Sequence, residues 1–207
     1  MGSDNNRPYT RMSKVKLSAG ELELVTDASF ILTKNNIIQK VYTLLGALSE
    51  YYVAEIKEYP GEVSAFTPSP KIARGENYQG LPWLMLDYPR IFSAKDVFAI
   101  RTFFWWGNFF SITLQLAGSY HNEYLPQIKK LYEADKKSDW FLGCSDNAWE
   151  HHFLPGNYKP LQAFSIQEIE RLPFIKLARK IPLQQWDDAS LFLKNSYVEI
   201  RSILLGC

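Results

Sequence analysis

Residues 98–117 read FAIRTFFWW-GN-FFSITLQLA, and their reading decides the fold. Two apolar runs, Phe98 to Trp106 and Phe109 to Ala117, flank Gly107-Asn108, a dipeptide suited to a two-residue hairpin turn. The run from Val97 to Gly118 approaches bilayer length. However, Arg101 lies inside it and the Gly-Asn pair interrupts it, so two strands and a turn are expected in place of a span. With Trp106 opposite Phe109, Phe103, Trp105, Phe110, Ile112, Leu114 and Leu116 share one face with Arg101. That face reads as the core side. The other mixes Phe98, Ile100, Phe104, Trp106 and Phe109 with Thr102, Ser111, Thr113 and Gln115, and reads as half covered or as one wall of a groove.

Moving toward the N-terminus, LPWLMLDY (81–88) reads as a buried strand that Pro89 ends. Before it, the Pro-, Gly- and Ser-rich residues 61–80 read as one long loop. Ile37, Val41, Leu44, Leu48 and Tyr51 recur at helical spacing and predict a helix that stops at Tyr59-Pro60-Gly61. Ser18 and Glu21 have capping-box spacing and open an earlier helix. Residues 1–17 contain no apolar signal core and read as a flexible N-terminal arm.

On the C-terminal side, Ser93 to Asp96 suggest a short helical turn. A further helix should start near Tyr124, because Pro126 fits a first turn. Trp140 to Gly143 and Trp149 to Phe153 read as short strands around Cys144 to Asn147. Ser165 and Glu168 form a second capping box, and Phe174 to Ile181 read as a strand or an extended segment. Trp186, Leu193, Tyr197, Ile200 and Leu204 mark a closing helix, with Asp187 and Asp188 in its first turn and Gly206 beyond its end. Tight turns join the strands, and helices stand at both ends of the chain. The expectation is a single α+β domain over residues 18–207, its central antiparallel sheet built around the hairpin.

Composition narrows the function. The chain has 207 residues, 46% of them hydrophobic, which excludes disorder. Its 23 Lys and Arg stand against 22 Asp and Glu, too small an excess for nucleic-acid binding by bulk charge. Two cysteines, Cys144 and Cys207, are too few for a disulfide scaffold and are expected as free thiols in a soluble cytoplasmic protein, without a membrane partner. Nucleotide-binding glycine motifs, hydrolase elbows and zinc patterns are missing, so no cofactor is expected. Glu150-His151-His152 gathers metal-ligand side chains, but adjacent strand residues diverge, so no metal is expected and the role of either histidine stays open.

The candidate ligand site is the polar segment around the 81–88 strand: Arg74, Tyr78, Asp87 and Arg90, joined by Arg101 and Trp106 from the hairpin. Guanidinium groups suit carboxylate or phosphate, and loops set on strands are common binding platforms. Arg101 cannot shed its charge, so it needs an acid, and Glu55, Glu76 and Asp87 are available. The residues point to a protein or enzyme that takes an anionic or aromatic small molecule. Its cleft would be walled by Phe104, Trp106 and Phe109 and gated by the long loop. The alternative is an interaction module or a homo-oligomeric structural protein that uses those aromatics as an exposed groove.

Overall fold

The computed structural model describes residues 15–57, 68–134 and 139–206. Helices α1 (Ala19–Thr26) and α2 (Ala28–Lys57) come first. Strands β1 (Lys71–Tyr78), β2 (Leu81–Phe92), β3 (Val97–Trp105) and β4 (Phe109–Ala117) follow, then helix α3 (Ser119–Ala134). Short strands β5 (Phe141–Gly143) and β6 (Tyr158–Pro160), helix α4 (Ile166–Arg171), strand β7 (Phe174–Pro182) and helix α5 (Trp186–Leu205) complete the α+β fold. All seven strands form one antiparallel sheet in the order β1-β2-β3-β4-β7-β5-β6.

The hairpin stands where the sequence places it, but its register is one residue away from expectation. Trp105, not Trp106, lies opposite Phe109, and the loop holds three residues. The backbone N–H of Trp106 donates to Pro82 O at 3.0 Å, so β2 draws Trp106 out of the β3–β4 ladder. Gly107 takes the left-handed conformation (φ 72°) that closes the longer loop, and Asn108 N–H returns to Trp105 O at 3.0 Å. The slip exchanges the faces of β4 relative to β3. Phe98, Ile100, Thr102 and Phe104 now share a side with Phe110, Ile112, Leu114 and Leu116, and this is the helix-facing core. Arg101, Phe103 and Trp105 share the other side with Phe109, Ser111, Thr113 and Gln115.

The helix-facing side is closed by elements from Lys40 onward. Val41, Leu45, Leu48 and Tyr52 of α2 are fully buried at spacings of four, three and four. The Tyr52 ring stacks on Tyr197 of α5, and its hydroxyl meets Thr102 Oγ1 at 3.1 Å. Trp186 packs edge-on against Phe104 and Phe110, and Phe98 meets Tyr124 of α3. The chain divides into two compact units between Gln39 and Lys40, and the described residues of the first hold α1 and the start of α2. There α1 starts at the Ser18–Glu21 capping box and buries none of its residues, while Leu22, Leu24, Val25, Phe30, Ile31 and Leu32 are exposed.

Other expectations need correction. Residues 71–78 are an edge strand and not part of a long loop, because β2 supplies the hydrogen-bonding partner that their mixed composition does not announce. Pro89 does not end β2. The register shift between Asp87 and Arg90 places Tyr88 and Pro89 in a bulge, where a missing N–H costs no ladder bond. Residues 93–96 form a tight turn, with Ser93 N–H bonded to Asp96 O, and not a helical turn. Helix α3 begins at Ser119, not at Tyr124, and carries Pro126 in its interior. Its N-terminus is fixed by the Asp96 carboxylate, which accepts from Ser119 N and Oγ at 2.7 and 2.8 Å. Trp149 to Phe153 are not a strand but part of an irregular strap, residues 144–157, closed by Cys144 N–H on Asn157 O at 2.8 Å. The expected helix stop at Tyr59-Pro60-Gly61 lies outside the described residues, as does Cys207. Cys144 is a free thiol. Among the described residues no helix is long and apolar enough to cross a membrane.

Candidate functional site

The strap lies over the sheet face opposite the helices, and three sheet side chains hold it there. The Tyr78 hydroxyl accepts the backbone N–H groups of His151 and His152 at 2.7 and 3.1 Å. Gln115 Nε2 donates to Ala148 O at 3.1 Å. Lys176 Nζ donates to Glu150 O at 2.6 Å and to Asn157 Oδ1 at 3.3 Å, and it stands 4.7 Å from the centre of the Tyr158 ring. Gln115 and Lys176 are cross-strand partners on β4 and β7, so two anchors sit side by side. One end of the strap is packed down by Phe153, which stacks on Tyr158 and meets Phe109 and Phe141 edge-on.

Toward β1 the strap leaves a cavity of about 310 Å³ lined by Asn77, Tyr78, Trp83, Met85, Arg101, Phe103, Trp149 and His151. Alternation brings this set together. Trp83, Met85 and Asp87 of β2 pair with Trp105, Phe103 and Arg101 of β3. Tyr78 meets Phe103 and Trp105 edge-on, and Trp105 Nε1 donates to Tyr78 O at 3.2 Å. Trp83 fits because residue 75 is glycine: a Cβ there would lie 2.4 Å from the indole Nε1. Two other hollows of similar size flank α3, but none of the polar side chains that line them is buried.

Arg101 is held on two sides. Its Nε donates to Asp87 Oδ1 at 2.8 Å, its Nη2 to Asp87 Oδ2 at 3.4 Å and its Nη1 to Gln115 Oε1 at 3.4 Å. Phe92 and Trp149 lie against the guanidinium on one side, with ring centres 5.2 and 5.5 Å from Cζ and 5.8 Å from each other. A guanidinium has five N–H donors, so one on each Nη has no partner among the described residues. His151 contacts the Phe103 and Tyr78 rings, and its ring nitrogens have no hydrogen-bond partner among the described residues. Burial holds its imidazole well below the usual value, and the charges of Arg101, Lys176 and His152 add to the effect, so it is neutral near pH 7. Burial likewise pushes Lys176 down to about 8, opposed by Glu150 and reinforced by Arg101.

Of the residues picked out from the sequence, Tyr78 and Arg101 line the cavity, and Asp87 is the acid that pairs with Arg101. Arg74 is exposed and sits opposite Leu84, in register with the other face. Arg90 Nε donates to Ser69 O at 3.0 Å away from the cavity, and Trp106 packs in the hairpin loop against Phe104. Of the expected groove aromatics, Phe104 and Phe109 are packed inside, 1% and 8% exposed, while Trp106 is half-buried. Trp83, Met85, Phe103, Trp149 and His151 were not picked out as site residues. The period-two series Trp83, Met85, Asp87 was the available signal for the first two. Among the described residues no three His, Cys, Asp or Glu side chains are grouped to hold a metal ion. Comparisons with protein-family models, with curated proteins and with solved structures find no match for this chain.

Proposed function

We propose that this chain binds a small planar molecule in the cavity beneath the strap. The observation that carries the reading is the composition of the lining. Five of the eight lining residues present a flat ring other than imidazole or a thioether, and the two strongest polar groups, Arg101 and His151, keep hydrogen-bonding capacity that no described residue uses. An apolar cavity with a few convergent polar groups is the usual form of a small-molecule site, and about 310 Å³ fits one or two fused rings. The bidentate Asp87 contact and the Gln115 contact fix the guanidinium before any ligand arrives, which reduces the ordering needed on binding. The reading also places the protein in the cytoplasm, where a free thiol such as Cys144 persists. The groove-docking alternative loses support, because Phe104 and Phe109 are spent in the interior.

The test uses the tryptophans as reporters. Trp83 and Trp149 line the cavity, whereas Trp140 bonds Glu199 of α5 and Trp186 packs on the opposite face of the sheet. Titration with indole, quinoline and indole-3-acetate should shift the indole N–H resonances of Trp83 and Trp149 and leave those of Trp140 and Trp186 in place. If none of the three moves Trp83 or Trp149, the reading is wrong.

A further inference from the structure

We infer that the ligand of this cavity is an aromatic acid, its ring against Phe103 and Trp83 and its carboxylate on the free Nη edge of Arg101. The inference rests on the small-molecule reading above and adds the chemical class. Arg101 is the one formally charged side chain among the eight that line the cavity, and none of the eight is an acid. A cationic ligand would therefore meet a guanidinium whose counter-ion, Asp87, is already engaged and is not itself part of the lining. Asp87 occupies the Nε–Nη2 side, so Arg101 is held in place while one N–H on each Nη remains unused. A planar pair of donors matches the two oxygens of a carboxylate.

Phe92 and Trp149 lie together on one side of the guanidinium, their ring centres 5.2 and 5.5 Å from Cζ and 5.8 Å from each other, so the unused Nη donors remain for a ligand. The Arg101 side chain is only 12% exposed, and that limited access to water strengthens a contact made there. His151 adds a neutral polar group beside Arg101. Arg101, Lys176 and His152 each disfavour a proton on His151, so the imidazole meets the ligand as a neutral donor and acceptor. The walls then favour a ring over a simple anion. Trp83, Phe103 and Trp149 offer aromatic faces, and Met85 offers a polarizable thioether between them.

Three probes share the indole ring and differ in the charge of the side arm: indole-3-acetate, tryptophol and tryptamine. Calorimetry on the full chain should show indole-3-acetate binding at least tenfold more tightly than tryptophol, with tryptamine weakest. The double variant Arg101→Gln/Asp87→Asn removes both charges together, so no buried acid is stranded, and it should bind tryptophol and indole-3-acetate alike. Should that variant fail to fold, a salt titration of the wild type replaces it: 0.05 to 0.5 M NaCl, on the order of a threefold change in Debye length, should weaken indole-3-acetate and leave tryptophol unchanged. Tryptophol binding as tightly as indole-3-acetate would overturn the acid and keep the small-molecule reading. Failure of all three probes to bind or to move Trp83 and Trp149 would overturn both.

Discussion

Gly75 shows how a single residue shapes the cavity. It lies opposite Trp83 across the β1–β2 ladder, and the Trp83 indole occupies the space a side chain would fill. Three indole atoms lie 2.4–2.8 Å from an ideal Cβ at this position. The obstruction is a rigid ring, so Gly75→Ala must displace Trp83 from the cavity wall. Overpacking of this kind costs about 1–3 kcal/mol. Urea unfolding should show that loss, the Trp83 indole N–H resonance should move, and affinity for indole-3-acetate should fall. Gly46 supplies the contrast. It sits inside α2 with open space where its Cβ would be. Gly46→Ala should therefore add stability, about 0.5–1 kcal/mol from the helix preference alone, and leave ligand affinity unchanged. Equal stability effects at the two positions would show that the indole contact does not govern Gly75.

At the scale of elements, the strap is the part that makes a cavity out of a sheet face, and Tyr78 is its most exacting anchor. One hydroxyl oxygen accepts two consecutive amides, those of His151 and His152. Tyr78→Phe keeps the ring that packs on Phe103 and Trp105 but leaves both amides without that acceptor. A buried donor left unsatisfied costs about 1–3 kcal/mol. The variant should lose stability in that range, and amide hydrogen exchange should accelerate at residues 151 and 152 ahead of β3 and β4. Uniform acceleration across the sheet would mean that the hydroxyl does not hold the strap separately. The helices were legible because their signals are local: the boxes at Ser18–Glu21 and Ser165–Glu168, and the apolar stripe from Val41 to Tyr52. The hairpin was legible as a hairpin, but not in register, because a distant carbonyl at Pro82 decides where Trp106 sends its N–H. The same limit hid β1, whose pairing β2 supplies, and the start of α3, which the Asp96 carboxylate fixes from another turn. Arg101 and its three candidate acids were readable, and the choice of Asp87 was not, because the bulge after Asp87 sets which β2 residue stands opposite. The strap carries no periodicity at all, so His151 and Trp149 could enter the site only through contacts the chain makes in three dimensions.

At the scale of the whole molecule, the buried ionisable groups give its stability a distinctive alkaline profile. Lys176 is 1% exposed and faces Glu150, Asn157 and Cys144 of the strap, the Tyr158 ring and Arg101 of β3. Burial lowers its pKa from 10.5 to about 8, so between these values the unfolded chain holds a proton that the folded chain has released. Stability then rises with pH, by up to about 1.4 kcal/mol per unit, until the unfolded lysine also deprotonates. The buried tyrosines act in the opposite sense. Burial raises the phenol pKa of Tyr52, Tyr158 and Tyr197 above 10 in the folded chain, so above pH 10 the unfolded chain loses protons that the folded chain keeps. Stability must fall there. The two effects meet near pH 10, and urea unfolding from pH 7 to 11 should give a rise from about pH 8 and a decline beyond about pH 10. Lys176→Met removes the titrating group while keeping most of the stem that packs on Tyr158, and it should abolish the rise and preserve the decline. A wild-type curve flat between pH 8 and 10, or a variant that still rises, would mean that Lys176 titrates as an ordinary lysine despite its burial beneath the strap.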